Sequence, residues 1–360
     1  MRRLRTALIG CGKVGRIHAI ALSAIPESEF CAVCDSDAVR ARAFADEFGV
    51  RGYASIDEML ESEKIEAVSV CTPHPLHAPA AIAAASHHAH ILVEKPLAAS
   101  LDDCDRMIEA ARKNSVELGM VSQRRFFEPV ERMKAAIDAS KVGKPVLGTV
   151  LMLSWRDAAY YMSDPWRGKW ATEGGGVLVN QAPHHLDLLQ WFMGPVEEIT
   201  GYARNLNHPT IEVEDTAVAC LRFRNGGLGS IVVSLSQRPG IYSKVHIHGS
   251  NGASVGVQTD TGATFIAGMS EMGEPALNDV WTVPGEEDQL AEWIAEDRRQ
   301  FTERRDPDYY HKLQIRDFLQ SLLAGKHPRV TAEDGRAVVE IFQALYLSNR
   351  EGRQVGLPIS

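Results

Sequence analysis

The chain has 360 residues, of which 45% are hydrophobic and 24% charged, and its formal net charge is −9 at pH 7. This composition predicts a globular chain with a buried core, and the length favours two domains over one. The acidic balance argues against a nucleic-acid or anionic-membrane partner, and no apolar run approaches the roughly 20 residues that a membrane-spanning helix needs.

Short apolar runs alternate with amphipathic segments over the first third of the chain. This alternation predicts an α/β domain over residues 1–124, with a parallel sheet covered by helices on both faces. The expected strands are Leu4–Ile9, Phe30–Cys34, Ala67–Cys71, Ile91–Val93 and Val116–Val121, and the expected helices are Lys13–Ala24, Ala38–Phe48, Pro75–Ala85 and Leu101–Asn114.

A GxGxxG element, Gly10–Gly15, lies between the first strand and the first helix. Its glycines permit a tight turn, a close approach of the backbone to a pyrophosphate and close packing of helix on strand. Asp35 ends the second strand, and its carboxylate can accept hydrogen bonds from the ribose hydroxyls of NAD and would repel the additional phosphate of NADP. Because Ser36 and Asp37 follow it, rather than Arg or Lys, we expect NAD; a turn or N-cap aspartate is the alternative.

Two turns follow later strands of this sheet, at the end where open parallel sheets bind their ligands. Thr72-Pro73-His74 is consistent either with a turn that lines the binding site of the nicotinamide ribose or with a plain proline-directed turn. Glu94-Lys95-Pro96 places an ammonium where it can stabilise a developing alkoxide or polarise a carbonyl. A solvated surface charge is the usual interpretation of a single lysine, but the position at the mouth of the sheet favours the catalytic one.

The pattern changes near residue 124, and a second domain is predicted over residues 125–360. Asn225-Gly226-Gly227 is a turn of the type that closes antiparallel strands, so we expect an α+β domain with a large, mostly antiparallel open sheet. The expected strands are Val146–Trp155, Glu197–Arg204, Thr216–Phe223, Leu228–Ser236 and Lys244–His248, and the expected helices are Pro129–Ser140, Glu287–Glu303, Tyr309–Leu323 and Ala332–Asn349.

A glycine run, Gly174–Gly176, precedes Asn180, His184 and Asp187, which would share one face of a helix because they lie four and three residues apart. A histidine between an amide and a carboxylate suits a general base, and the glycines would let the backbone lie close to a cofactor. A helical core with a satisfied histidine and a capping aspartate is the alternative. Adjacent histidines such as His184 and His185 point about 100° apart on a helix, so we expect no metal site.

These motifs resemble, in order and spacing, those of the glucose–fructose oxidoreductase / inositol dehydrogenase (Gfo/Idh/MocA) family, and the resemblance covers essentially the whole chain. It implies a Rossmann domain followed by a larger domain on an open antiparallel sheet, with catalysis by Lys95 and His184. Many members carry an aspartate four residues before the histidine, where this chain has Asn180. A neutral amide cannot raise the basicity of the histidine as a carboxylate does.

The motifs and the resemblance together define three sets of expected site residues. Trp166 and Arg167 border the nicotinamide and the substrate by resemblance alone, and a surface stacking pair is the alternative. The expected catalytic residues are Lys95, His184 and Asn180; the cofactor contacts are Gly10, Gly12, Lys13, Val14, Asp35, Thr72, Pro73, His74, His77, Glu94, Lys95, Gln123, Trp166 and Arg167; the substrate contacts are Lys95, Arg124, Trp155, Asn180, His184 and Tyr310.

The predicted function is hydride transfer between a nicotinamide cofactor and a secondary alcohol or ketone of a sugar, sugar derivative or cyclitol. The alternative is an NAD-dependent glycosidase or epimerase-like enzyme that oxidises the sugar transiently. A silent NAD-binding regulator would not need both Lys95 and His184. The resemblance further implies a homo-oligomer, dimer or tetramer, formed through the C-terminal sheet. The six cysteines contain no CxxC pair, which favours reduced thiols and a cytoplasmic location.

Overall fold

The computed structural model describes residues 2–261, 264–266, 269–271, 273–304 and 308–359. By its internal contacts the chain forms two compact units, one of residues 1–123 and 306–339 and the other of residues 124–305 and 340–360. The sequence pattern changes only once, near residue 124, and contains no sign that a later segment belongs with the first unit.

The first unit is built on a parallel sheet of six strands, β1 (Leu4–Ile9), β2 (Ser28–Cys34), β3 (Arg51–Tyr53), β4 (Ala67–Val70), β5 (His90–Val93) and β6 (Leu118–Met120). Their order is β3-β2-β1-β4-β5-β6, and all neighbouring pairs are parallel. The helices between them are α1 (Lys13–Ala24), α2 (Ala38–Phe48), α3 (Ile56–Glu63), α4 (His77–Ser86) and α5 (Leu101–Lys113).

Local signals explain where these helices begin and end. The carboxylate of Asp37 accepts the N–H groups of Val39 and Arg40 at the start of α2, and Gly49 ends that helix with a φ of +68°. Ser100 caps α5 by accepting the N–H of Asp103. The predicted bounds of β1, α1 and α2 are therefore confirmed.

The second unit contains the helices α6 (Glu128–Asp138), α7 (Ala158–Met162), α8 (Trp170–Glu173), α9 (Val177–Asn180), α10 (Pro183–Met193) and α11 (Gln289–Arg304). Its strands are β7 (Pro145–Leu153), β8 (Val196–Arg204), β9 (Thr216–Phe223), β10 (Leu228–Ser234), β11 (Tyr242–Gly249), β12 (Ser254–Thr259), β13 (Thr264–Ile266), β14 (Met269–Glu271), β15 (Leu277–Trp281) and β16 (Val355–Gly356).

Eight of these strands form one large sheet in the order β15-β12-β11-β7-β10-β9-β8-β16. Only β7 and β10 pair in parallel; the other neighbours are antiparallel, which confirms the predicted fold class. Helix α10 packs so closely on one face that a Cβ at Gly148 would lie 2.7 Å from Leu189 and Met193. The predicted Asn225-Gly226-Gly227 hairpin joins β9 and β10.

Two helices complete the fold, α12 (Tyr309–Leu323) and α13 (Ala332–Glu351). The apolar face of α12, with Ile315, Phe318 and Leu319, is buried in the core of the first unit together with Leu4 and Leu92. This burial explains why residues 306–339 group with the first unit. No described helix is long and apolar enough to cross a membrane.

Candidate active site

The glycine-rich turn after β1 is shaped by its own packing. A Cβ at Gly10 would lie 2.6 Å from the backbone of Cys71, and one at Gly15 would lie 2.1 Å from the carbonyl oxygen of Gly10. Gly12 differs, because no atom of the described residues lies within 4 Å of its Cβ position. It precedes Lys13 and Val14 in the first turn of α1, and no side chain caps this helix. The turn therefore leaves an open backbone face at a helix N-terminus, which fits a pyrophosphate.

Asp35 is buried at the end of β2 and is bound to the same turn. Its Oδ2 accepts the N–H of Cys11 at 2.9 Å, and its Oδ1 accepts the N–H of Asp37 at 2.9 Å. Nη1 of Arg40 lies 3.4 Å from Oδ2. Neither of the two residues after Asp35 is basic, but helix α2 brings Arg40 to it from five residues away. This proximity weakens the argument against NADP, whose additional phosphate an arginine can accept.

The turns after β4 and β5 are joined by one histidine. Thr72 and Pro73 follow β4, and His74 begins a short 3-10 helix. His77 is fully buried, with Nε2 2.9 Å from the carbonyl oxygen of Thr72 and Nδ1 2.9 Å from that of Pro96. Its ring thus braces the two turns against each other and is not open to a ligand.

Glu94 is the centre of a buried polar cluster in the first unit. Its Oε1 lies 2.9 Å from Nε2 of His18 and 3.8 Å from Nε2 of His311, and its Oε2 accepts the N–H of Lys95 at 3.0 Å. Burial alone would raise the pKa of Glu94, but the hydrogen bond to His18 and the nearby His311 and Lys95 lower it to about 2. Burial lowers the pKa of His311 to about 4, so this imidazole is neutral at pH 7.

His18, Glu94 and His311 also form the one described group whose potential metal-ligating atoms all lie within 4.8 Å of one another. The direct His18–Glu94 hydrogen bond already satisfies the carboxylate, and the Lys95 ammonium beside it would repel a cation. We therefore interpret the cluster as a support for the Lys95 turn.

We expect Glu94→Gln to destabilise the protein by about 3 kcal/mol at pH 7 and by less than half as much at pH 3. The native pKa of about 2 lies below the usual 4.5, so the ionised carboxylate stabilises the fold above pH 4.5. This contribution is lost as the pH falls from 4.5 towards 2. Urea unfolding at both pH values measures it.

Glu61→Gln is the control, because Glu61 is an exposed carboxylate on α3 of the same unit. It should change stability little at either pH. An equal loss for Glu94→Gln at both pH values would contradict the expected ionisation of the buried carboxylate.

In the second unit, the segment after the glycine run is not one helix. Helix α9 ends at Asn180, and α10 begins at Pro183, whose missing N–H is tolerated only at a helix start. The prediction that Asn180 shares one helix with His184 and Asp187 is therefore wrong, whereas His184 and Asp187 do lie three residues apart on α10.

The glycine run has its own packing reason. A Cβ at Gly176 would lie 1.8 Å from the carbonyl oxygen of Glu214. The buried carboxylate of Glu214 accepts the N–H groups of Gly176 and Leu178 at 3.0 and 2.9 Å and the hydroxyl of Tyr346 at 2.8 Å. Burial raises its pKa to about 7. The glycine pattern predicts a close approach to a cofactor; at Gly176 the close neighbour is the Glu214 backbone.

Asn180 belongs to a buried polar network. Its Nδ2 donates to Oε1 of Glu173 at 2.5 Å and to the hydroxyl oxygen of Tyr160 at 3.1 Å. That oxygen also accepts Nη1 of Arg167 at 2.6 Å. The Arg167 guanidinium stacks on Trp166, with 4.4 Å to the ring centroid. Both Trp166 and Arg167 thus lie in the same network as Asn180.

Asp187 is paired with an arginine that no sequence motif indicates. Its carboxylate oxygens accept Nε and Nη2 of Arg125 at 2.8 and 2.5 Å, and both side chains are buried. Arg125 also stacks over Trp191 at 4.8 Å. His184 lies one helical turn earlier on α10 and is 8% exposed. The ion pair therefore fixes the helix that carries His184.

Arg124 is held within the second unit. Its Nη1 and Nη2 donate to the two carboxylate oxygens of Asp260, each at 2.9 Å, and Nη1 also contacts Thr259 and His185. Burial would raise the pKa of Asp260, but the charge of Arg124 holds it well below its usual value.

Gln123 is the last residue of the first unit before this segment. Its Oε1 is buried and has no hydrogen-bond partner among the described residues.

The last two predicted substrate contacts lie in different units. Trp155 follows β7 in the second unit, with its ring 5.6 Å from that of His208. Tyr310 lies in the first turn of α12, in the first unit, where its ring contacts Tyr309 at 5.1 Å. Lys95 and Tyr310 thus belong to the first unit, and His184 belongs to the second with Asn180, Arg124 and Trp155.

Comparison with known proteins is consistent with this arrangement. The model of an oxidoreductase family with an NAD-binding Rossmann fold (GFO/IDH/MocA) matches residues 4–122, and that of the GFO/IDH/MocA C-terminal domain matches residues 130–255. A myo-inositol 2-dehydrogenase of Thermotoga maritima is 29% identical over 98% of this chain and 98% of its own length. A scyllo-inositol 2-dehydrogenase (NAD(+)) of Bacillus subtilis is 27% identical over 70% of this chain and 73% of its own.

Among solved structures, the WlbA dehydrogenase from Bordetella pertussis, in complex with NADH and UDP-GlcNAcA, has a TM-score of 0.87 and 29% identity. The match covers 100% of this chain and 99% of that one. Both family models match in chain order, and the parallel and mixed sheets correspond to their two domains. The chain is therefore a member of the Gfo/Idh/MocA family of NAD-binding oxidoreductases.

Proposed function

We propose that the protein transfers a hydride between NAD and a secondary alcohol or ketone of a sugar, sugar derivative or cyclitol. The observation that carries this proposal is the set of turns at the carboxyl ends of the strands in the first sheet. The turns after β1, β2, β4 and β5 all lie at the carboxyl ends of parallel strands, and they bring the open glycine turn, Asp35 and Lys95 to one edge. The inositol dehydrogenases among the relatives support the substrate class.

The first unit has a fitting place for the dinucleotide. The open backbone at Gly12 and the uncapped start of α1, with Lys13 and Val14, would hold the pyrophosphate, and Asp35 would accept the ribose hydroxyls. Bound NAD supplies the hydride acceptor. We propose NAD in preference to NADP on the charge of Asp35, although Arg40 lies beside it.

The chain's own side chains handle the oxygen and the proton. Lys95 places an ammonium against the developing alkoxide, and its backbone is fixed by the Glu94 carboxylate. His184 removes the hydroxyl proton, on a helix held by the Arg125–Asp187 pair. Asn180 is a positioning residue, because its side chain acts through its hydrogen bonds to Glu173 and Tyr160.

A substrate panel tests the proposal. We expect NADH to accumulate with at least one of myo-inositol, glucose, a glucoside, an anhydrosugar or a sugar phosphate, and kcat/KM to be at least about tenfold higher with NAD than with NADP. Product formation without NADH accumulation would instead indicate the internal redox cycle of a glycosidase or epimerase. No oxidation or conversion of any polyol would contradict the proposal.

We also propose a homo-oligomer formed through the face of the second sheet opposite α10. Tyr202, Val218 and Leu228 lie on this face in adjacent strands and are 69%, 44% and 57% exposed. Apolar patches of this kind mark contact surfaces. Light scattering after size exclusion would show a monomer if the proposed oligomer does not form.

The six free cysteines support a cytoplasmic location, which we propose and which cell fractionation checks.

A further inference from the structure

Two neighbouring strands of the second sheet end together, and in this subsection we call the end of the sheet where they do so its edge. Because β7 and β10 are parallel, their carboxyl ends lie side by side. Trp155 pairs with Ser236 just beyond the strands, and the N–H of Gln237 donates to the carbonyl oxygen of Ser154 at 3.2 Å. The residues that follow the two strands are therefore held in one local surface.

Three polar groups at this edge have no partner among the described residues. The Oγ of Ser236, the Oε1 of Gln237 and the hydroxyl of Tyr161 are buried and make no hydrogen bond with the described residues. Tyr161 belongs to the same cluster, since its ring lies 5.3 Å from His208, which is 5.6 Å from Trp155. A buried polar group without a partner costs about 1–3 kcal/mol. Two hydroxyls and an amide oxygen match the mixed donors and acceptors of a polyol.

The same edge carries a positive charge. The guanidinium of Arg238 lies 5.8 Å from the ring centroid of Trp155, and Arg238 makes no ion pair with the described part of the chain. The buried carboxylate of Asp215, which binds His208 of the same cluster at 2.7 Å, also accepts the N–H groups of Leu206 and Asn207. Asp157 caps α7 through the N–H of Tyr160. Arg238 is thus available to an anion.

We propose that this edge binds an acidic sugar. Arg238 takes the carboxylate of a uronic acid or the phosphate of a sugar phosphate, and Ser236, Gln237 and Tyr161 take the hydroxyls. The exposed part of the Trp155 ring packs on the apolar face of the sugar. This inference rests on the proposed function, because it names the substrate class of that activity.

Calorimetric titration with glucuronate, glucose 6-phosphate and glucose tests the inference. We expect at least one acidic sugar to bind at least about tenfold more tightly than glucose, and the tighter of the two identifies the anionic group. Arg238→Gln should weaken that binding by about 10- to 100-fold without changing glucose binding, and Arg238→Lys should retain most of it.

Arg224→Gln is the matched control, because it removes the same charge from an exposed position at the other end of β10. It should leave all three affinities unchanged. Equal binding of glucose and both acidic sugars, or normal binding by Arg238→Gln, would overturn the inference. Because binding needs no turnover, a preference for acidic sugars without NADH formation would contradict only the proposed dehydrogenase. Oxidation of neutral polyols with NADH formation, together with equal binding of glucose and both acidic sugars, would contradict only the acidic-sugar site.

Discussion

Lys95→Met is expected to lower kcat for polyol oxidation by about 10²- to 10³-fold, with a much smaller effect on NADH affinity. Methionine keeps most of the volume of the side chain and removes only the charge. The turn should persist, because Glu94 accepts the backbone N–H of residue 95, which the substitution leaves in place. Steady-state kinetics with the best substrate of the panel and fluorescence titration with NADH measure the two effects.

Lys113→Met serves as the control, since Lys113 is exposed in the last turn of α5. It should be kinetically normal. If Lys95→Met retained wild-type kcat, the assignment of the developing negative charge to this ammonium would be wrong, even though the cofactor still bound.

Arg125→Met is expected to reduce the free energy of unfolding by about 3–5 kcal/mol. Arg125 and Asp187 are 3% and 1% exposed, so the variant would leave a carboxylate in the core without its counter-charge. The double variant Arg125→Met/Asp187→Leu should recover most of this loss, because it leaves no unpaired charge. Chemical denaturation of the three proteins gives the values.

Arg222→Met breaks an ion pair with Glu198 at an exposed site, where Arg222 is 53% exposed, and should cost less than about 1 kcal/mol. A single Arg125 variant as stable as the wild type would contradict the importance of the Arg125–Asp187 pair. A double variant no more stable than the single one would show that the unpaired Asp187 carboxylate is not the cause of the loss.

Elements with strong local signals could be predicted from the sequence. Helices α1, α2 and α12 and strand β9 have the predicted bounds, because their apolar periodicity is regular and their ends carry glycine, aspartate or a turn. Strand β3 and helix α3 were missed, since β3 has only three residues and none of them is buried. The packing of α12 on the first unit had no local signal at all, because an apolar face does not say what covers it.

Some features of the candidate site could likewise be predicted from the sequence, and others could not. The glycine turn, Asp35 and the Lys95 turn follow from contiguous motifs. The buried partners of Asp187 and Gly176 in the second unit do not: Arg125 lies 62 residues from Asp187, and Glu214 lies 38 from Gly176. Only the folded chain brings such pairs together. The prediction of one continuous helix from Asn180 to Asp187 is wrong, because Pro183 in the middle of this segment begins α10.

The return of residues 306–339 to the first unit has a consequence for synthesis. As the chain leaves the ribosome, strands β1–β6 appear first, but the helix that covers Leu4 and Leu92 follows only after the whole of residues 124–305. Until then, part of the nascent core is open to solvent and to aggregation. A fragment ending near residue 124 would keep that exposed surface permanently, so the dinucleotide unit cannot be cut out as one continuous piece of chain.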